Sequence, residues 1–322
     1  MAILILNIGS RTIKWAVYDN GWVESGKNEE VKDFESSLRK ILLRINSQYR
    51  INATVHRIVH GGELKKSMIV SGHMVNYLKK FEKLTPLHQK NEIKGIEYSK
   101  KIFRTKQIAV FDTAFHSTMP EKARVYAIPL KFYKKGVKRY GFHGSSHKYV
   151  AEKLGKKANK IVSCHLGAGC SLCAIKNGKS IDTSMGFTPL EGVVMVTRSG
   201  SIDPGILIYL KNENLNKMLN EESGVYGISG IKDFKKLLKS RDKKSALAID
   251  VFCYSIAKCI GSYAAALGGL DAVAFTGGIG ENSGSIRNKI LKYIKFFKPR
   301  IFIIKADEKE VLLGEALKLL KS

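Results

Sequence analysis

Long hydrophobic runs are scarce in this sequence. Met1 to Leu6, MAILIL, stays apolar for only six residues before Asn7, too short for a signal h-region or a membrane span, and it reads as a buried strand. The longest run of small apolar residues, Tyr263 to Leu270, also falls short of a span. A cytoplasmic protein with no membrane partner is expected. Acidic residues are few as well: 28 Asp and Glu stand against 55 Lys and Arg, a formal net charge of +27. Such a balance suits an anionic partner but does not choose among nucleotide, nucleic acid and membrane surface. The lysines are scattered, with no basic arm, aromatic-basic interleaving or groove-reading motif, so no specific nucleic acid is expected.

Cysteine is sparse and odd in number. Cys164, Cys170, Cys173, Cys253 and Cys259 lie in apolar surroundings, which fits reduced buried thiols better than a disulfide framework. The C-x-x-C at Cys170 and Cys173 has no second pair and sits in an alternating strand pattern, which argues against metal or redox use. Low-complexity blocks are absent, and 44% hydrophobic with 26% charged residues is the composition of a folded chain. At 322 residues the chain suits two domains better than one core.

Two segments repeat. Ile3 to Gly21 can be laid on Lys160 to Gly178 with Gly9 over Gly167, which sets Ala16 on Ala174 and Val17 on Ile175. Each reads as a strand, a glycine-bearing turn, a second strand and a hairpin turn. The expectation is that each domain opens with this device and offers backbone N–H groups of the turn to phosphate. Elsewhere, residues 33–48 have helical spacing, ATVHRIVHGG has strand character, a strand is expected at Ala109–Asp112, and a long helix at Asp250–Leu267 leads into the strand DAVAFTGG. Elements of both kinds alternate, so the fold class is α/β.

His143 and His147 stand four apart in RYGFHGSSHKYV, residues 139–150. A zinc helix needs a Glu between such ligands and an unbroken helix, whereas Gly144, Ser145 and Ser146 fill the gap here. The spacing therefore favours a turn that projects His143, with Ser145 or Ser146 capping a helix that starts near His147.

HRIVHGGE (56–63), FDTAFHSTMP (111–120), RYGFHGSSHKYV, HLGAGCS (165–171), MGFTPLEG (185–192), TRSGSIDPG (197–205) and FTGGIGENS (275–283) follow one another. In that order they resemble the acetate/propionate/butyrate kinase family, of the superfamily shared with actin, sugar kinases and heat-shock ATPases. The resemblance covers most of the chain. It implies two actin-like (ribonuclease H-like) domains with an interdomain cleft: 1–113 plus 307–322, completed by the C-terminal helix, and 114–306. It also implies reversible phosphoryl transfer from ATP to acetate, giving acetyl phosphate and ADP, with Mg²⁺. A carboxylate substrate is already ionised at neutral pH, so no general base is needed. The demand instead is for positioned cations around the migrating phosphoryl group.

By that resemblance Asp112, His143 and Arg198 are catalytic. Arg57, Val59, Leu87, Phe142 and Pro189 bind substrate, with Val59 limiting acyl length. Asn7 and Glu308 are the metal-associated positions. The nucleotide set is Lys14, Ser163, Cys164, His165, Leu166, Gly167, Asp233, Phe234, Lys235, Gly278, Ile279, Gly280, Glu281 and Asn282. The chain departs from the family pattern at Ala168, Ser201 and Lys235, and it is shorter than the usual member, which leaves self-association into a homodimer open. A propionate or butyrate kinase, or a non-catalytic ATP-binding actin-like protein, is the alternative.

Overall fold

The computed structural model describes all residues except Ser10, Arg11, Glu30, Pro86, Leu87, Asn212 and Ser322. The chain divides into two compact units: Met1–Ser117 with Asp307–Ser322, and Thr118–Ala306.

The first unit is built on a six-stranded sheet of order β3-β2-β1-β4-β6-β5. Its strands are β1 (Ala2–Ile8), β2 (Ile13–Tyr18), β3 (Trp22–Asn28), β4 (Ile51–Ile58), β5 (Met68–Ile69) and β6 (Lys106–Phe111). The apolar run at the N-terminus is a strand covered on both faces, which is why it lacks alternation. Leu4, Leu6 and Ile8 face a core shared with the helix Phe34–Gln48, through Leu38, Leu42 and Ile45. Ile3 and Ile5 face the other way, with Val55, Ile108 and Val110, and meet Leu312, Leu313 and Ala316 of the C-terminal helix Glu308–Lys321. Asp33 caps the first of these helices by accepting the N–H of Ser36.

The second unit holds a five-stranded sheet of order β11-β10-β7-β8-β9, from β7 (Lys160–Leu166), β8 (Cys170–Lys176), β9 (Lys179–Thr183), β10 (Ala272–Thr276) and β11 (Arg300–Ile303). The alignment that lays Gly9 on Gly167 lays the ends of β1 on the ends of β7. In each sheet the opening strand pairs antiparallel with its hairpin partner and parallel with a later strand. The turns do not offer their first N–H to a ligand: Gly9 donates to Thr12 O at 2.8 Å and Gly167 to Gly169 O at 3.1 Å.

Some element bounds differ from those expected. The strand expected at Ala109–Asp112 is β6, ending at Phe111, and Asp112 instead opens the short helix Asp112–Phe115. The long helix runs Lys243–Leu267, because Asp242 accepts the Ser245 N–H at 2.8 Å and starts it earlier. By length and composition this helix could cross a membrane; here Phe252, Ile256, Ile260 and Leu267 are buried on the side that packs on β7 and β8. The five cysteines are unbridged thiols.

Because Leu312 is fully buried where the C-terminal helix covers the sheet, Leu312→Ala is expected to lower unfolding stability by about 2–5 kcal/mol. Urea denaturation followed by circular dichroism measures it.

Candidate active site

In the first unit, three buried rows of the sheet end in polar side chains. Ile3 and Ile5 are followed two residues on by Asn7, Ala53 and Val55 by Arg57, and Ile108 and Val110 by Asp112. A strand's period of two puts each polar group on the face its apolar predecessors occupy. β1, β4 and β6 run parallel, so all three groups gather at carboxyl ends, where open α/β sheets carry working residues. Arg57 donates to Asp112 Oδ2 at 2.5 Å and to Asn7 Oδ1 at 3.2 Å, and Asn7 Nδ2 donates to Glu308 Oε2 at 2.6 Å. Burial works against the Arg57 charge, but Asp112, Glu308 and Glu92 more than offset it and hold the guanidinium above its ordinary value. Lys14 is exposed on β2, directly opposite Asn7 in the register.

The loop after β4 is held by side chains. Val59 N–H donates to Glu92 Oε2 at 3.0 Å, Gly61 N–H to Thr113 Oγ1 at 3.1 Å, Gly62 N–H to His60 Nδ1 at 3.0 Å, and Glu63 N–H to Tyr77 Oη at 2.8 Å. Burial lowers His60 to about 3, in keeping with a neutral acceptor. Glu92, on the helix Gln89–Phe103, is 1% exposed. Burial pushes its carboxyl up to about 8, against the pull of Arg57 and the Val59 N–H. Sequence reasoning missed Glu92, since nothing in its neighbourhood of the chain marks it; only packing brings it to Val59. Leu87 lies outside the described residues.

In the second unit the helix Gly144–Leu154 lies over β7. His143 precedes it at φ 55°, a left-handed conformation uncommon outside glycine. Neither Ser145 nor Ser146 caps the helix: it starts three residues before His147, and Ser146 Oγ bonds His165 Nδ1 at 2.8 Å. Four-residue spacing aligns His143 and His147 on one helical side. Both imidazoles reach Ser171 Oγ, His143 Nδ1 at 2.9 Å and His147 Nε2 at 2.8 Å. A Cβ on Gly169 would stand 3.3 Å from Arg198 Nη1, 3.4 Å from His143 Cε1 and 3.6 Å from His143 Nε2. Arg198 and the ring edge of His143 therefore converge beside Gly169. Arg198 donates to Pro189 O at 3.4 Å. Among the described residues no carboxylate pairs with it, and burial lowers its affinity for its proton. Phe142 is fully buried and Pro189 half-buried in this unit, whereas Val59 belongs to the first.

The nucleotide candidates separate into buried and accessible ones. Ser163, Cys164 and Leu166 are fully buried in β7; Ser163 and Cys164 are paired to both β8 and β10, and Leu166 to β8, whereas His165 and Gly167 are less buried. Gly277, at φ 79°, lets the helix Gly277–Asn282 start hard against β7, since a Cβ there would meet Leu166 O at 2.8 Å. Gly278 borders open space. Ile279 and Gly280 are buried. Glu281 accepts the N–H groups of Gly277 and Ala306 at 2.9 and 2.8 Å, and Asn282 bonds Gly278 O. Arg287, which sequence reasoning missed, braces the carbonyls of Gly280 and Glu281. Asp233 caps the helix Phe234–Lys239, and this backbone donation lowers its pKa. Phe234 stacks at an angle on Phe252, and Lys235 is exposed.

The chain is 42% identical over 348 residues to an acetate kinase of Carboxydothermus hydrogenoformans, covering 92% of this chain and 87% of that one. The crystal structure of acetate kinase from Entamoeba histolytica matches with TM-score 0.92 at 31% identity over 100% of both chains. A propionate kinase from Francisella tularensis matches with TM-score 0.88 at 33% identity over 99% of both. A ROK hexokinase from Thermus thermophilus, at 12% identity and TM-score 0.50, shares the fold alone, the two-sheet actin-like one. The model of the Acetokinase family matches residues 23–305, and this chain belongs to that family.

Proposed function

We propose that this chain is an acetate kinase, an ATP-dependent phosphotransferase with a carboxyl group as acceptor, in which an oxygen of acetate attacks the γ-phosphorus in line as the bond to ADP breaks. Relatives about 40% identical over most of the chain support the activity. The observation that carries the chemistry is Arg198: a largely buried guanidinium without a carboxylate among the described residues, converging with the His143 edge beside Gly169. Desolvating a cation without a partner is costly. A phosphoryl group spreading charge over its equatorial oxygens is the partner that relieves that cost during transfer.

Arg57, aimed by Asp112 and Asn7, has the fork geometry to hold the acetate carboxylate through two oxygens. Val59 limits acyl length, and Glu92 keeps that residue in place through its backbone. For the nucleotide, Lys14, Asp233, Lys235, Gly278 and Asn282 are exposed members of the expected set, and His165 and Gly167 are half-buried; Glu281, Asn282 and Asp233 also shape the backbone nearby.

Asn7, Asp112 and Glu308 offer hard oxygen donors linked through Arg57. Mg²⁺ binds through one or two carboxylates, water and substrate phosphates, so this set fits it, although no cage of three or more His, Cys, Asp or Glu occurs among the described residues. When bound, the ion supplies neutralisation of phosphate charge. The likeness to a propionate kinase favours a second reading in which three-carbon acids are also substrates.

With ATP, Mg²⁺, acetate and hydroxylamine the protein is expected to form acetyl hydroxamate, and Arg198→Ala to lose about 10³-fold or more in kcat; normal turnover by that variant removes Arg198 from the mechanism. Propionate should show kcat/KM about 10–200-fold below acetate, the worth of one methylene in an apolar pocket. The raised Glu92 pKa means the folded protein holds a proton that the unfolded chain releases near its ordinary value of 4.5. Stability from this group therefore declines as pH rises from about 4.5 to about 8. Glu92→Gln should flatten that decline in denaturation midpoints measured across the range; an unchanged slope rejects the assignment.

A further inference from the structure

Ser171 poses a counting problem. Its Oγ lies 2.9 Å from His143 Nδ1 and 2.8 Å from His147 Nε2, and His147 Nδ1 lies 2.9 Å from Ser163 Oγ. Ser163, His147 and Ser171 are fully buried. A hydroxyl carries one proton, so Ser171 donates to one imidazole and must accept from the other. A neutral imidazole likewise carries one N–H, so His147 donates on one side and accepts on the other, which makes the four groups one directed chain with two senses. In the first, Ser163 donates to His147 Nδ1, His147 Nε2–H donates to Ser171, and Ser171 donates to His143 Nδ1. His143 then carries its proton on Nε2. In the second sense every bond reverses, and Nε2 of a neutral His143 is a bare lone pair.

The two senses differ at the spot beside Gly169, where the Nε2 edge of His143 and Nη1 of Arg198 converge. An anionic oxygen there accepts hydrogen bonds, so a lone pair would repel it and an N–H would hold it. Resting on the reading that His143 contacts the transferring phosphoryl group, we propose that Ser171, with His147 and Ser163 behind it, is a positioning relay that holds His143 as an Nε2–H donor without need of a second proton. The C-terminal imidazole of the pair is thus the part that sets which nitrogen of the first carries hydrogen, a tautomer-setting role of the kind a bonded neighbour imposes on histidine. His165, whose ring centroid is 4.3 Å from that of His143, and Arg198 also face it. His165 is itself bonded through Nδ1 to Ser146. The relay lies wholly within the second unit.

Without the Ser171 hydroxyl, neutral His143 can place its proton on Nδ1 and leave Nε2 bare, and only imidazolium restores the donor. Ser171→Ala is therefore expected to lower kcat by about 10-fold or more at about pH 8.5, up to the 10²–10³-fold of one lost donor. The deficit should shrink towards about pH 6, where histidine protonates, and the KM for acetate should change less than kcat. Ser171→Thr, which keeps the hydroxyl, should recover the wild-type profile, and Ser163→Ala should shift it in the same direction by less. Nitrogen NMR of isotope-labelled histidine, with the His143 signals identified by their loss in His143→Ala, reads the tautomer in the wild-type protein with ADP and inorganic phosphate. Nε2–H is expected. A bare Nε2 in that complex overturns the relay, as does a kcat for Ser171→Ala equal to wild type across the pH range. If instead His143→Ala turns over acetate as fast as wild type, it is the role of His143 that fails, and the relay with it for a separate reason.

Discussion

The buried bond between Arg57 and Asp112 is the constraint on which the first unit's chemistry depends. A guanidinium removed from water is costly unless opposite charge stands beside it, and here Asp112 and Glu308 supply that charge from different parts of the chain. The pair exists only because β4 and β6 are parallel neighbours whose buried rows end together. It depends equally on the C-terminal helix, which packs on that face and brings Glu308 to Asn7. Removing one partner would leave the other buried and uncompensated, so these side chains act as a set.

The second unit handles its cation in the opposite way. Among the described residues Arg198 donates to a carbonyl and a thioether, and burial, against a smaller opposing effect of Cys170, lowers its pKa. A site that meets its own charge internally holds a side chain in position; a site that leaves charge unmet attracts an anion. The two arginines, similar as letters in a sequence, thus stand in different surroundings: Arg57 is oriented by carboxylates, while no carboxylate pairs with Arg198 among the described residues. At position 169 a Cβ would press on the Arg198 guanidinium and the His143 ring edge, which converge there.

Much of the site was legible because its residues fall in compact, ordered motifs. The strand rows, the hairpin repeat and the helix Phe34–Gln48 follow from periodicity, and the seven motif blocks point to the family that the whole-chain match shows. Glu92, Thr113, Tyr77 and Arg287 were not legible. Each acts by bonding a backbone group outside its own helical turn or strand pair, 14 to 52 residues away for Tyr77, Glu92 and Thr113 and six or seven for Arg287, and no local pattern records such a partner. Nor was it legible that Ser163 and Cys164, in the expected nucleotide set, have backbones paired on both sides within the sheet.

The amino-acid sequence by itself determined which segments become strands and helices, which charges and imidazoles are present, and the family they belong to, because periodicity and motif order are properties of neighbours along the chain. Only the tertiary structure decided which of those groups meet. Ser171 lies 28 residues from His143 along the chain yet 2.9 Å from its ring, and Glu308 lies 301 residues from the Asn7 it accepts from. Hydrogen bonds and ion pairs act over a few ångströms, so whether a buried charge is satisfied, or left for a ligand, is settled by packing.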